Sequence, residues 1–285
     1  MLSTAQSTTL TPPLRDLLLP WRVVRHFRQY AGLIQQFVKR EVLVQYRGSY
    51  LGCFWALLRP LAMLTLYTIV FGYIFQSRLG HDATESKLDF TLALFCGLVL
   101  FNFFSDSLSR APLIIVSNPN YVTKVVFPLE ILPVSAVGAA FIQLLISLIP
   151  LFAGILLARG GIPLTALYLP VILVPLILLV LGVSWFLASL GVFIRDINAL
   201  VPVGLTILMY ASAIFYSLAR VPSKALPWLL LNPLAVIIDQ SRNALFWGLA
   251  PAWPRYGALL VVSFFVALGG FAFFMRTKRA FADVM

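Results

Sequence analysis

Residues 167–194 read LYLPVILVPLILLVLGVSWFLASLGVFI, without one Asp, Glu, Lys, Arg or His. As a helix the run is roughly 42 Å long at about 1.5 Å per residue, more than the roughly 30 Å of a bilayer's hydrocarbon core. Five further stretches are apolar and long enough to cross: Cys53–Gln76, Phe90–Ser109, Ile131–Ala158, Leu200–Leu218 and Tyr256–Met275. The expected fold is therefore all-α and integral to the membrane, with six transmembrane helices. Pro133, Pro150, Pro170 and Pro175 interrupt two of the spans, and neighbouring helices or side chains must satisfy the backbone groups they free.

Composition agrees. Of 285 residues (31.7 kDa), 61% are hydrophobic and 11% charged, against roughly 45–50% and about 25% in soluble domains. The net charge of +11 suits a protein facing anionic lipid and obeying the positive-inside rule, so nucleic acid is not an expected partner. Cys53 and Cys96 lie in apolar runs and the only histidines are His26 and His81. Neither a disulfide framework nor a metal site is expected. The opening MLSTAQSTTLTPPLRDLLLP has no basic n-region followed by an apolar run and cleavage site, so the first span is expected to target the chain.

A seventh apolar piece, Ala225–Ile238, is short and broken by Pro227 and Asn232-Pro233, which reads as a re-entrant or interfacial segment. Six spans place both termini on one side. Arg15, Arg22, Arg25, Arg28, Lys39, Arg40, Arg47, Arg110, Lys124, Arg195, Arg276, Lys278 and Arg279 fall there; Arg78, Lys87, Arg159, Arg220, Lys224, Arg242 and Arg255 fall opposite. Both termini are thus expected in the cytoplasm and the broken hairpin outside. Trp21–Tyr46 carries Val23, Phe27, Tyr30, Ile34, Val38 and Val42 at helical spacing amid basic and amide residues, an amphipathic helix that either anchors to lipid or faces substrate. The expected order is a flexible cytoplasmic N-terminus (1–20), an interface helix (21–47), a transmembrane domain (48–275) with an external hairpin at 225–246, and a cytoplasmic tail (276–285).

The chain has no GxxxxGK[ST] loop, so any ATPase must be another polypeptide. Ionisable residues within the spans are limited to Arg59 and Asp106, whereas ion-coupled carriers usually place acids near the midplane. Arg59 is near enough to its helix start either to snorkel or to touch substrate. Phe101, Phe103 and Phe104, with Tyr210, Phe215 and Tyr216, either pack or offer stacking faces to sugars. Two loops on the terminal side are candidates to receive force. In the larger, Asn118-Pro119-Asn120 makes a turn and Tyr121–Phe127 a short helix ended by Pro128, which either fits a partner's groove or lies on the membrane; the smaller holds Arg195-Asp196, equally readable as a local charge pair at a helix end. Asp239 and Arg242, three apart on a helix, are spaced to pair. No set of acids converges as a transferase would require, and a non-transporting scaffold would need neither the broken hairpin nor the partner-facing loop.

Four stretches, in this order and spacing, resemble the membrane subunit of polysaccharide-exporting ABC transporters, in particular the O-antigen permeases. They are KREVLVQYRGSYLGCFWALLRPL (39–61), SNPNYVTKVVFPLEILP (117–133), FIRDINALVP (193–202) and LNPLAVIIDQSRNALFWG (231–248). The resemblance covers nearly all of the chain after about residue 20. It implies a homodimer on two copies of a separate nucleotide-binding subunit, which alone binds ATP and Mg, exporting a polyprenyl-pyrophosphate-linked glycan across a bacterial inner membrane. A related permease for capsule, teichoic acid, drug or lipid is the nearest alternative. On this resemblance Asn118, Pro119, Asn120, Tyr121, Lys124 and Phe127, with Arg195 and Asp196, would couple to the ATPase. Trp228, Asn232, Pro233, Asp239 and Arg242 would form the external gate. Arg25, Arg28, Lys39, Arg40, Arg47 and Arg59 become candidates to attract the pyrophosphate, which needs cationic, multi-donor partners. Phe101, Phe104, Tyr210, Phe215 and Tyr216 are the candidate glycan path.

Overall fold

The computed structural model describes residues 20–47, 50, 52–74, 87–123, 127–218 and 221–284. The expected flexible N-terminus, Lys124 and most of the loop after the first expected span lie outside them. Every element among the described residues is helical. Four helices are long and apolar enough to cross a membrane, over Leu88–Leu113, Ile131–Arg159, Leu164–Phe193 and Trp253–Val284, each on an expected span. Two shorter apolar helices, Trp55–Phe71 and Ile197–Ala211, fall on the other two.

In chain order the α-helices are α1 (Pro20–Gln29), α2 (Ala31–Tyr46), α3 (Trp55–Tyr67), α4 (Lys87–Arg110), α5 (Pro119–Thr123), α6 (Ile131–Arg159), α7 (Leu169–Phe193), α8 (Ile197–Ala211), α9 (Leu226–Leu230), α10 (Pro233–Phe246), α11 (Trp253–Thr277) and α12 (Phe281–Val284). The interface helix, expected as one piece, is two: Tyr30 leaves helical geometry at φ −98°, ψ 12° between α1 and α2. Its expected apolar stripe is half-buried throughout, and Phe37 is its most buried residue. The first expected span is also composite, because α3 passes into a π-helical stretch at Thr68–Ile74.

Two of the prolines inside helices are compensated from a neighbouring helix. Pro60 has no N–H to offer the carbonyl four residues earlier, Ala56, and Gln143 Nε2 of α6 donates to that oxygen at 2.9 Å. Pro175 likewise frees the Val171 carbonyl of α7, and the Tyr256 hydroxyl of α11 donates to it at 3.1 Å. Inside a bilayer no water is present to fill either gap.

Helices α7 and α11 form the most extensively packed pair. A side chain at Gly270 would bring its Cβ to 2.0 Å from the Gly182 carbonyl oxygen, and one at Gly182 to 2.4 Å from that of Val266. Only glycine lets the two backbones touch, the usual device for helix association where lipid is as apolar as leucine.

The fifth expected span stops early. Helix α8 ends at Ala211, the chain turns through Ala213 at φ +53°, and Ser212–Ser217 is irregular. Residues 226–246 then form two helices hinged at Leu231-Asn232, and α10 runs into the core.

Candidate functional site

The N-terminal helices, α5 and the C-terminal turn gather at one end of the bundle, where Glu130 joins α1 and the C-terminal turn to α7. It is 2% exposed, immediately before α6. Its Oε1 is 2.8 Å from His26 Nε2 on α1, its Oε2 accepts from Lys278 Nζ at 2.6 Å, and its backbone oxygen accepts from Trp185 Nε1 on α7 at 3.1 Å. Phe27 stacks on Trp185 at 5.6 Å between centroids, and Phe271 meets both rings edge-on. Burial by itself would raise the Glu130 carboxyl, but the His26 hydrogen bond and the Lys278 ammonium outweigh it and hold the group below its ordinary value. The sequence flagged neither Glu130 nor His26, although an acid directly preceding a long apolar helix is a visible signal.

Helix α5 is tied to α2. Asn118 Nδ2 donates to the Ile114 carbonyl at 2.9 Å and fixes the turn before Pro119, which starts the helix. Tyr121, Phe127 and Phe37 of α2 form a three-ring cluster with centroids 4.7–5.7 Å apart. Arg40 Nη1 donates to the Tyr121 hydroxyl at 3.0 Å, and its guanidinium lies 4.5 Å from the Phe37 ring centre. Arg40, expected among the entrance cations, is thus engaged with α5. Pro119 and Asn120 are exposed, as are Arg195 and Asp196. Pro119 and Arg195 line one cavity of about 440 Å³, together with Pro112, Val116 and Asn198, so the two loops expected to receive force meet there.

Arg25, Arg28, Lys39 and Arg47 are exposed on the N-terminal helices. Arg59 stands apart from them on α3, beside a cavity shared with α4 and α6.

The path aromatics divide. Phe101 and Phe104 are buried in the core at 4% and 5% exposure, so their rings are spent on packing within this chain. Tyr210 is 61% exposed and stacks on Phe215 at 5.6 Å, while the Tyr216 hydroxyl donates to the Tyr210 carbonyl at 3.2 Å. These three form one cluster where α8 breaks.

At the opposite end, Asn232 caps α10 by accepting from Leu234 N at 3.0 Å, and its Nδ2 donates to the Ala211 carbonyl at 3.0 Å and to Ser212 Oγ at 3.1 Å. Pro233 occupies the first helical position. Trp228 is 76% exposed. Arg159 donates to Asp89 at 2.7 Å and to the Phe246 carbonyl, and Thr165 Oγ1 donates to the Ala244 carbonyl at 2.6 Å, satisfying carbonyls at the end of α10.

Asp239 and Arg242, spaced to pair on α10, feel each other's charge, and each has hydrogen-bond partners besides. Asp239 accepts from Asn243 Nδ2 at 3.3 Å. Arg242 is buried, and its guanidinium donates to the carbonyls of Ala93 (2.8 Å), Ala213 (2.8 Å), Ile214 (2.5 Å) and Tyr216 (3.4 Å). It binds the broken end of α8 to α4, because the planar fork reaches several carbonyls at once. Gly97 makes room: a Cβ there would lie 2.8 Å from Arg242 Nη2.

Residues 32–246 match the ABC-2 type transporter family. The chain is 27% identical over 265 residues to the O-antigen export system permease protein RfbA of Myxococcus xanthus, covering 92% of this chain and 98% of that one. An RfbA of Klebsiella pneumoniae is 25% identical over 256 residues, covering 89% and 95%. The polysialic acid transport protein KpsM of Escherichia coli is 26% identical over 220 residues, covering 75% and 81%. The several apolar helices and a family match across most of the sequence lead to one conclusion: the chain is a membrane permease belonging to the ABC-2 type transporter family.

Proposed function

We propose that this chain is the transmembrane subunit of an ATP-driven exporter that carries a polyprenyl-pyrophosphate-linked polysaccharide of the O-antigen class across a bacterial inner membrane. The observation that carries this reading is the nearly end-to-end likeness to an O-antigen export permease. In this reading the two shorter apolar helices complete six spans, 225–246 is an external re-entrant hairpin, and both termini are cytoplasmic. Two copies of the chain work with two copies of a separate ATPase, which holds ATP and Mg.

Helix α5 is then the coupling helix. Its ties to α2 through Tyr121, Arg40 and Phe37 offer a short mechanical route from the ATPase to the interface helix. The Glu130 cluster fixes α1 and the C-terminal turn to the root of α6, so a push on the loop that contains α5 moves them together. Exposed Arg25, Arg28, Lys39 and Arg47 attract the lipid diphosphate at the entrance. Tyr210, Phe215 and Tyr216 supply ring faces that grip sugars weakly enough to let a polymer slide. The pinned hairpin restrains the external mouth.

The KpsM likeness favours a second reading, export of a capsule-type polysaccharide, over a shorter share of the chain. Deleting the gene in its native host and restoring it from a plasmid tests the function. Surface glycan should vanish, lipid-linked glycan should accumulate inside, and both should revert on complementation. Unchanged surface glycan would contradict the reading, and loss of capsule with intact O-antigen would select the second.

A further inference from the structure

A cavity of about 170 Å³ lies between α3, α4 and α6, with Phe95, Leu98 and Val99 of α4 in its wall. Its polar lining is Arg59, Asn102, Asp106, Gln143 and Ser147, with Tyr67 beside them. Ionisable side chains within apolar spans are expensive and persist there mainly to line polar paths or bind ligands. Two of the five have structural work: Gln143 serves the carbonyl freed by Pro60, and Ser147 donates to the Gln143 carbonyl at 2.8 Å, keeping its own lone pairs to accept. Asn102 does not. It is exposed while Phe101 and Phe103 beside it are buried, and its amide makes no hydrogen bond among the described residues. Arg59 and Asp106 face the same space with no salt bridge between them among the described residues, and Asp106 feels the charge of Arg110 as well as that of Arg59.

One cation and one anion leave the lining close to neutral, and Asp106 repels a phosphate. A diphosphate would need several cationic donors. A sugar ring needs interleaved donors and acceptors for its hydroxyls and an apolar wall for its C–H face. Asn102, Ser147, Asp106 and Arg59 supply the first; Met63 and Tyr67 contribute to the second. The volume falls below the roughly 300 Å³ at which pockets for drug-sized ligands begin, which limits the occupant to about one ring.

Resting on the export reading above, we propose that this cavity binds one neutral sugar ring of the transported glycan, and that Arg59 acts there on sugar hydroxyls instead of at the pyrophosphate.

The test uses the purified complex of the chain with its ATPase and, as probes, methyl glycosides of glucose, galactose, mannose, rhamnose and N-acetylglucosamine, with sodium pyrophosphate as competitor. Saturation-transfer NMR should detect at least one glycoside. Its signal should fall by about fivefold, the loss of roughly one hydrogen bond's worth of binding, in Asn102→Leu, and should also fall in Met63→Trp, which fills the cavity. Leu157→Trp, at an exposed position on α6 away from this cavity, should keep it. No glycoside signal, an equal signal in all variants, or displacement by pyrophosphate overturns the proposal.

A photo-crosslinking residue at Met63 gives an answer that does not depend on the two cavity variants folding. In vesicles containing the lipid-linked glycan it should capture sugar, and capture of phospholipid alone overturns the proposal. Glycan export by the unmodified complex is measured in parallel. Export without sugar capture sinks the cavity proposal alone, whereas absence of export sinks the reading beneath it.

Discussion

Gln143 supplies the hydrogen bond that Pro60 withholds: its Nε2 reaches the Ala56 carbonyl across the α3–α6 contact at 2.9 Å. Gln143→Leu leaves that oxygen unsatisfied in an apolar setting and should cost about 1–3 kcal/mol. The double variant with Pro60→Ala should recover much of the loss, because alanine restores the helix's own donor. Thermal unfolding of the four proteins of this cycle in one detergent checks it, and strictly additive losses would argue against the relationship.

Arg242 should be less replaceable than its surroundings. Arg242→Met strands carbonyls of α4 and the α8 break, at about 1–3 kcal/mol for each group left unsatisfied. Arg242→Lys should rescue little, since one ammonium cannot reproduce a planar fork spread over four carbonyls. Gly97→Ala should weaken the protein in the same direction, by crowding Nη2. Protein level in the membrane and unfolding temperature report all three.

The Glu130 cluster predicts a pH dependence of known sign. The folded-state carboxyl sits below its ordinary value of 4.5, so its contribution is complete above that value and is lost as pH falls through the lower folded-state value. Unfolding temperature followed downward from neutral pH should drop more steeply in the natural protein than in Glu130→Gln. Parallel curves would show that the carboxylate contributes no such linkage.

Tyr121→Phe removes the hydroxyl that Arg40 reaches while keeping the ring cluster. If α5 drives α2, glycan exported per ATP hydrolysed should fall several-fold, roughly what a bond of about 1–2 kcal/mol would confer. Export and hydrolysis measured together in vesicles decide it. An unchanged ratio would remove this contact from the coupling route.

Much of this architecture is legible in the sequence, and what is not has a common cause. The four long helices were visible because apolar runs of roughly 20 residues or more with almost no charge admit few alternatives, and the prolines in two of them gave notice that neighbours must lend donors. The early end of α8 was not visible, since Ala213 holds its positive φ against carbonyl contacts from Arg242, 29 residues away in sequence. The same long-range geometry gives Arg242 its carbonyl partners on α4 and at the α8 break, which its local spacing to Asp239 does not announce. Glu130 finds His26 and Lys278 at separations of 104 and 148 residues, beyond the reach of any periodic pattern. Phe101 and Phe104 show the converse, because an aromatic in an apolar run reads alike whether it lines a path or fills a core.

The central claim is that this permease works with an ATPase on a lipid-linked glycan. It is tested most directly by tagging the chain, purifying it in mild detergent from its native membrane, and identifying co-purifying proteins and lipids by mass spectrometry. A P-loop ATPase in near one-to-one ratio, with a polyprenyl-linked glycan bound, is the expected result. A chain that repeatedly purifies without any ATPase, even after crosslinking, would contradict the claim.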